Sequence, residues 1–153
     1  MKKHLFLTAC IPFMVFHTPA IGNLISEQLA NQMEALHKAV VSTPYSAIVK
    51  HTDVTVHELP EDKYISIHLY EADVIDTIRG EVRDNILYTV VVGRGEEATI
   101  DDSPVIVTLC PHDDKFYWPG VGSQFDANYD LIEVAKNTAA NVDKDQSQFS
   151  HCD

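Results

Sequence analysis

The sequence predicts an α+β fold with an N-terminal helix, an antiparallel sheet of about five strands and a C-terminal helix, both helices lying on one face of the sheet. Three observations support this order. Apolar residues recur every three or four positions after residue 22 and again after residue 126, which is the helical period. Between those segments apolar and polar residues alternate, which is the period of a strand. Short turn sequences separate the alternating segments, as they do in hairpins.

Residues 1–20 have the composition of a secretory signal peptide. Lys2 and Lys3 give a basic start, and Leu5–Phe16 is apolar except for one threonine. Cleavage is expected after Ala20 or after Gly22. The apolar run is too short to cross a bilayer, and no later segment is apolar enough to do so. The mature form is therefore expected in the periplasm or outside the cell, without a membrane span.

A lipoprotein signal is the alternative, because Leu7-Thr8-Ala9-Cys10 has the pattern of a lipobox. Cleavage there would leave an apolar stretch shorter than signal peptides use. The apolar run also continues past Cys10, which favours cleavage near Ala20.

Residues 23–142 are predicted to form a single domain, and residues 143–153 a polar C-terminal tail. The first helix is expected over residues 23–42, ending before Pro44 because the residue preceding a proline avoids helical geometry. The second helix is expected to be capped by Asp126 and to run to about Ala140. Each helix carries one apolar stripe for the sheet.

The first hairpin is predicted to pair residues 46–58 with residues 63–70, with Glu58 facing Lys63. This register gathers the apolar side chains on a core-facing side, comprising Val54, Val56, Ile65, Ile67 and Leu69, with Thr52. It gathers the polar side chains on an open side, whose proposed partner-binding members are His51, Asp53, His57, Tyr64, Ser66, His68 and Tyr70.

The rest of the sheet is predicted from shorter patterns. Residues 73–82 and 86–93 are interpreted as a second hairpin, and residues 105–110 as a central strand. Residues 111–124 are interpreted as a loop that holds the aromatic sequence Phe116, Tyr117 and Trp118. Those aromatic residues could anchor a protein interface or could fill the core.

Two cysteines remain after signal cleavage, and a disulfide between Cys110 and Cys152 is expected in an oxidising compartment. Free thiols are the alternative, since two cysteines are too few for a structural zinc site. A metal site formed by His51, Asp53 and His68 is a second interpretation of the hairpin. No cofactor is expected.

The chain has 23 acidic and 11 basic residues, a net charge of −12 that becomes −14 once Lys2 and Lys3 are removed. Such a charge repels nucleic acid and attracts basic proteins, although solubility alone would also explain it. No common catalytic motif occurs. We therefore expect a small exported acidic protein that acts by protein–protein contact, as an inhibitor, an immunity factor or a secretion-system adaptor, and not an enzyme. A periplasmic metal-binding protein and a small hydrolase of unfamiliar type are the alternatives.

Overall fold

The computed structural model describes residues 21–152, so the predicted signal peptide lies outside the described residues. The predicted fold class is confirmed. The elements in chain order are α1 Ile21–Ser42, β1 Tyr45–Glu58, β2 Ile65–Arg79, β3 Asn85–Gly93, β4 Val105–His112, β5 Lys115–Tyr117, β6 Gln124–Asp126 and α2 Tyr129–Asn141. No helix in this part of the chain is long and apolar enough to cross a membrane.

The sheet closes into a barrel. Its strand order is β1-β2-β3-β5-β4, and a further pairing of β4 with β1 completes the ring, while β6 pairs with β4. All pairings are antiparallel except the one between β3 and β5. A three-strand meander whose fourth strand returns beside the first is a Greek key. Greek-key barrels carry many unrelated functions, so the architecture assigns none here.

Closure depends on irregular pairing between the two longest strands. The β1–β2 register shifts at three places, between Ser46 and Ala47, between Ile48 and Val49, and between His51 and Asp53. Each shift leaves an extra residue in one strand, which bends the pair and increases its twist. The first part of β1 can therefore pair with β4 while the whole strand stays paired with β2.

Two apolar cores lie on opposite sides of the sheet. One fills the barrel and consists of Tyr45, Ala47, Val49, Ala72, Ile86, Tyr88, Val105, Val107, Leu109 and Phe116. The other lies between the barrel wall and the two helices and consists of Leu36, Val40, Ile48, Ile106, Leu131 and Ala135. The predicted helical stripes are part of this second core. The face of the first hairpin that was predicted to be open is the wrong one, because that face curls inward around the barrel core and the opposite face points outward.

The C-terminal tail is held against the end of α1. Arg79 of β2 donates to the Val40 carbonyl at 2.5 Å and to the side chain of Gln146 at 2.9 Å. A cation is favourable there because helix C-termini present unpaired carbonyls and a negative partial charge. The predicted disulfide joins Cys110 to Cys152, with Cα atoms 5.4 Å apart. These contacts attach the tail to both the barrel and the helix.

The predicted register of the first hairpin is wrong. Glu58 lies opposite Ser66 instead of Lys63, because the connection between the strands includes Lys63 and Tyr64. The difference is an odd number of residues, which reverses the face of every side chain on one strand relative to the other. Arg94, which follows β3, stabilises the longer connection by donating to the carbonyls of Leu59 and Asp62. That contact comes from a distant part of the chain.

Other boundaries differ from the prediction in smaller ways. The segments predicted as strands 63–70 and 73–82 form the single strand β2. The loop predicted over residues 111–124 contains β5 and the start of β6. The N-cap of α2 is Asn128, whose side chain accepts from the Leu131 amide at 3.0 Å, and not Asp126.

Core packing is testable with two isoleucines. Ile106 is fully buried between the barrel and the helices, so Ile106→Ala should lower the free energy of unfolding by about 2–5 kcal/mol. Ile67 is half-buried, so Ile67→Ala should cost less than half as much because its side chain is already partly hydrated. Urea unfolding of both variants measures the difference. Equal losses would contradict this assignment of faces.

The disulfide closes a long loop, since its cysteines are 42 positions apart. Chain entropy gives such a cross-link roughly 4 kcal/mol as an upper figure. Cys152→Ala should therefore unfold at lower urea than the wild type, and reducing agent should destabilise only the wild type. Alkylation of both thiols in unreduced native protein would show that the bond does not form.

Candidate functional site

The predicted partner face is divided between the two sides of the barrel wall. Ala72 of β2 belongs to the barrel core. Ser66, His68 and Tyr70 project inward as well, because residues two positions apart on a strand lie on the same side of it. Asp53 and His57 project outward, opposite Glu71 and Ile67. His51 is buried, and Tyr64 is exposed in the connection before β2. The seven residues therefore do not form one surface, because the register differs from the predicted one.

A polar cluster is buried at one end of the barrel. His51 Nε2 and the Tyr88 hydroxyl are hydrogen-bonded at 2.6 Å. The Tyr70 ring stacks on Tyr88 at 5.4 Å and lies 5.1 Å from the His51 ring. Its hydroxyl donates to the Thr99 carbonyl at 3.5 Å, so the loop between β3 and β4 lies over the cluster. His68 is only 2% exposed, and its Nε2 atom has no hydrogen-bond partner among the described residues.

Burial controls the ionisation of this cluster. It lowers the pKa of His51, because a buried imidazolium loses hydration, and the carboxylate of Asp101 only partly opposes that effect. Burial, and secondarily Tyr70, raises the pKa of Tyr88 well above its usual range. At neutral pH the short bond therefore joins a neutral imidazole to a protonated phenol. The arrangement satisfies two polar groups inside an apolar core.

The hypothesis of a metal site at His51, Asp53 and His68 is wrong in its geometry. Asp53 projects from the outer side of the wall, whereas His51 and His68 lie inside. Within residues 21–152 no three histidine, cysteine or carboxylate side chains are placed to hold a metal ion. Cys110 is held in the disulfide and therefore offers no thiol.

The aromatic sequence of β5 belongs mainly to the core. Phe116 is buried in the barrel and stacks on Tyr45 with ring centroids 4.4 Å apart. Trp118 packs against the same core, and its backbone N–H donates to the Thr89 carbonyl at 2.9 Å. Tyr117 is half-buried. Phe116 and Trp118 thus fit the alternative in which these aromatic residues fill the interior.

The structure presents a different surface on the outside of the wall, which we call the outer face. The helices cover the outer side of the barrel at Ile48, Ile78 and Ile106, and α2 reaches β2 at Asp76 through Lys136. Beyond that region the outward side chains of β1, β2 and β3 do not belong to the core that the described helices form with the barrel. These outer-face residues are Asp53, Thr55, His57, Ile65, Ile67, Leu69, Glu71, Leu87, Thr89 and Val91.

The outer face combines an apolar centre with carboxylates at one side. Ile67 pairs with Val91, and Val91 is 59% exposed. Asp53 lies directly opposite Glu71, and neither carboxylate forms a salt bridge within the described chain. Like charges placed opposite one another destabilise a sheet. The predicted register placed Ile65 and Ile67 in the core, and only the observed register brings them onto the same face as the carboxylates.

The buried cluster predicts a specific dependence of stability on pH. His51 has a lowered pKa in the folded state, so its unfolded form, with a pKa of about 6.5, takes up a proton first on acidification. The free energy of unfolding should therefore fall as pH drops below about 6.5, until the folded pKa is reached. His51→Gln should weaken this dependence, as measured by urea unfolding across a pH series. A His51→Gln variant that kept the wild-type dependence would contradict this origin.

No family model matches this chain, and neither does any curated protein or solved structure. The assignment of function therefore depends on the geometry and charge of the two regions described above. The barrel cluster is enclosed, whereas the outer face is accessible to another molecule.

Proposed function

We propose that this protein is a small exported acidic binding protein and that its outer face binds a basic partner protein. The observation that carries the proposal is the apolar centre of that face, which α1 and α2 leave uncovered and which carboxylates border. An inhibitor, an immunity factor or a secretion-system adaptor would each act by such contact. The proposal assigns no catalytic role to any residue.

The apolar centre supplies the part of the contact that excludes water. Ile67, Leu69 and Val91 project from neighbouring positions on β2 and β3. In a monomer such side chains normally face a helix or a second sheet, and contiguous exposed apolar surface often marks an interaction site. Burial of this surface contributes about 25 cal/mol for each Å² removed from water.

The carboxylates supply the preference for a basic partner. Asp53 and Glu71 lie directly opposite one another across the strands, and like charges in this arrangement destabilise a sheet. A lysine or arginine of a partner placed between them would remove this repulsion. The net charge of −12 for the whole chain also attracts cationic proteins and speeds their encounter. A cationic enzyme of the lysozyme type has the positively charged surface that such a partner needs.

Matched charge variants test the proposal. Asp53→Asn with Glu71→Gln removes two negative charges from the outer face, and Asp113→Asn with Asp114→Asn removes two from the exposed β4–β5 turn. Immobilised wild type and the turn variant should capture the same basic protein from the exported fraction of the native host. The face variant should bind it at least tenfold more weakly, and the affinity of the wild type should fall with added salt.

Two valine substitutions test the contribution of the apolar centre to binding. Val91→Ala on the outer face should weaken the captured complex, whereas Val82→Ala, at an 82% exposed position in the β2–β3 turn, should not. Circular dichroism and urea unfolding confirm that both variants are folded. Equal binding by all four variants, or capture of no basic protein, would refute the proposed site.

A further inference from the structure

The second part of β1 has a free backbone edge. β4 pairs only with the first part, from Tyr45 to Val49. From Asp53 to Glu58, β1 pairs with β2 on one side, and no strand of the described chain pairs with its other side. Such an edge presents unpaired N–H and C=O groups and is a template for another strand.

Several of the features that usually prevent pairing are missing from this edge, although it carries two carboxylates, Asp53 and Glu58. Lysine, proline, an internal bulge or a very short strand protects most exposed edges. Residues 52–58 contain neither lysine nor proline, and the β1–β2 irregularity lies at their beginning, between His51 and Asp53. Val56, which projects to the inner side, is 47% exposed. A strand added here would cover that valine and satisfy the backbone.

We propose that the free edge of β1 pairs antiparallel with the same edge of a second copy of this chain, on a two-fold axis at Thr55. In this register Asp53 lies opposite His57 of the second copy, and Val54 lies opposite its Val56. Thr55 lies opposite Thr55 of the second copy. The first two matches are each made twice and the threonine match once, on the axis, as a two-fold interface requires.

The chemistry of the edge is complementary to itself in this register. Asp53 and His57 both project outward, so the imidazole can donate to the carboxylate across the interface. Val54 and Val56 both project inward, so their contact removes apolar surface from water. Opposed threonines at the axis are a favourable cross-strand pair.

Neighbouring registers lack this complementarity. A slip by one residue would set inward side chains of one copy against outward side chains of the other. An axis at Val56 would place Val54 opposite Glu58 of the second copy, an apolar side chain against a carboxylate. An axis at Val54 would place Asp53 opposite Thr55 and leave His57 beside His51, which is buried. Thr55 is therefore the position that the side chains favour.

The pairing would join the two barrels through one continuous sheet. The outer faces of the copies would then lie side by side on the same side of that sheet. This inference goes beyond the proposed function and does not depend on it, because it concerns the edge of β1 and needs no basic partner.

The association itself is tested by sedimentation equilibrium of the purified chain. The wild type should dimerise, and Val56→Lys should shift it to monomer by introducing the charge that protects natural edges. Val82→Lys is the matched control and should dimerise as the wild type does. A wild type that stays monomeric up to about 1 mM overturns the proposal. So does a Val56→Lys variant that associates equally well.

The register is tested by charge substitutions at Asp53 and His57, the outward residues that it places opposite each other. Asp53→Lys sets a lysine opposite His57, and His57→Glu sets a glutamate opposite Asp53, so each variant alone should be monomeric. An equimolar mixture should form a mixed dimer, because the introduced lysine and the introduced glutamate become opposed in one pair, while the native His57 and Asp53 remain opposed in the other. A mixture that stays monomeric, while the wild type dimerises, overturns the register.

A cross-link gives an independent measure of the axis. In the mature protein, whose two cysteines are joined in the disulfide, Thr55→Cys should form a covalent dimer on mild oxidation, because opposed Cβ atoms lie about 4.5–5.5 Å apart. Ala140→Cys, at an exposed position on α2, should remain monomeric under the same oxidation. Equal cross-linking of both variants would show random collision and contradict the axis at Thr55.

Discussion

The barrel and its helical cover both require a bend in β1. One strand must pair with β2 along its length and with β4 over its first part, which is possible only where the pairing is irregular. Without the bend the sheet would remain open, and Tyr45, Ala47 and Val49 would have no enclosed core to fill. The bend also limits the helical cover, because the helices pack only beside the part of β1 that pairs with β4.

The two ends of β1 differ in burial and in residue type. Near its start, side chains alternate between the barrel core and the helix core, so both faces are buried and the residues are small or apolar. Near its end only the inner face is partly covered, by the loop that reaches Tyr70, and polar residues are frequent. His51 lies between these two parts of the strand. Burial of its imidazole would cost free energy without a hydrogen bond, and Tyr88 provides one.

The same division separates the barrel interior from the proposed binding face. Inside the barrel, His51 and Tyr88 are buried and hydrogen-bonded to each other, with the partly buried Tyr70 ring stacked on Tyr88, which is the pattern of a structural polar network. The outer face has the opposite character, since it keeps isoleucines partly in water and opposes two carboxylates that form no salt bridge within residues 21–152. Both features cost folding free energy, and both would be relieved by contact with another molecule.

The local elements are predictable from the sequence alone. The two helices, their apolar stripes, the α+β class and the Cys110–Cys152 disulfide follow from helical periodicity and cysteine count, which depend on neighbouring residues and on composition. The register of β1 against β2 emerged only in the folded chain, because Arg94 holds a longer connection than the turn residues indicate. An odd change of register moves every side chain of a strand to the other face. His68 is therefore buried and Ile67 accessible, since alternation specifies that a strand has two faces but not which of them meets the core.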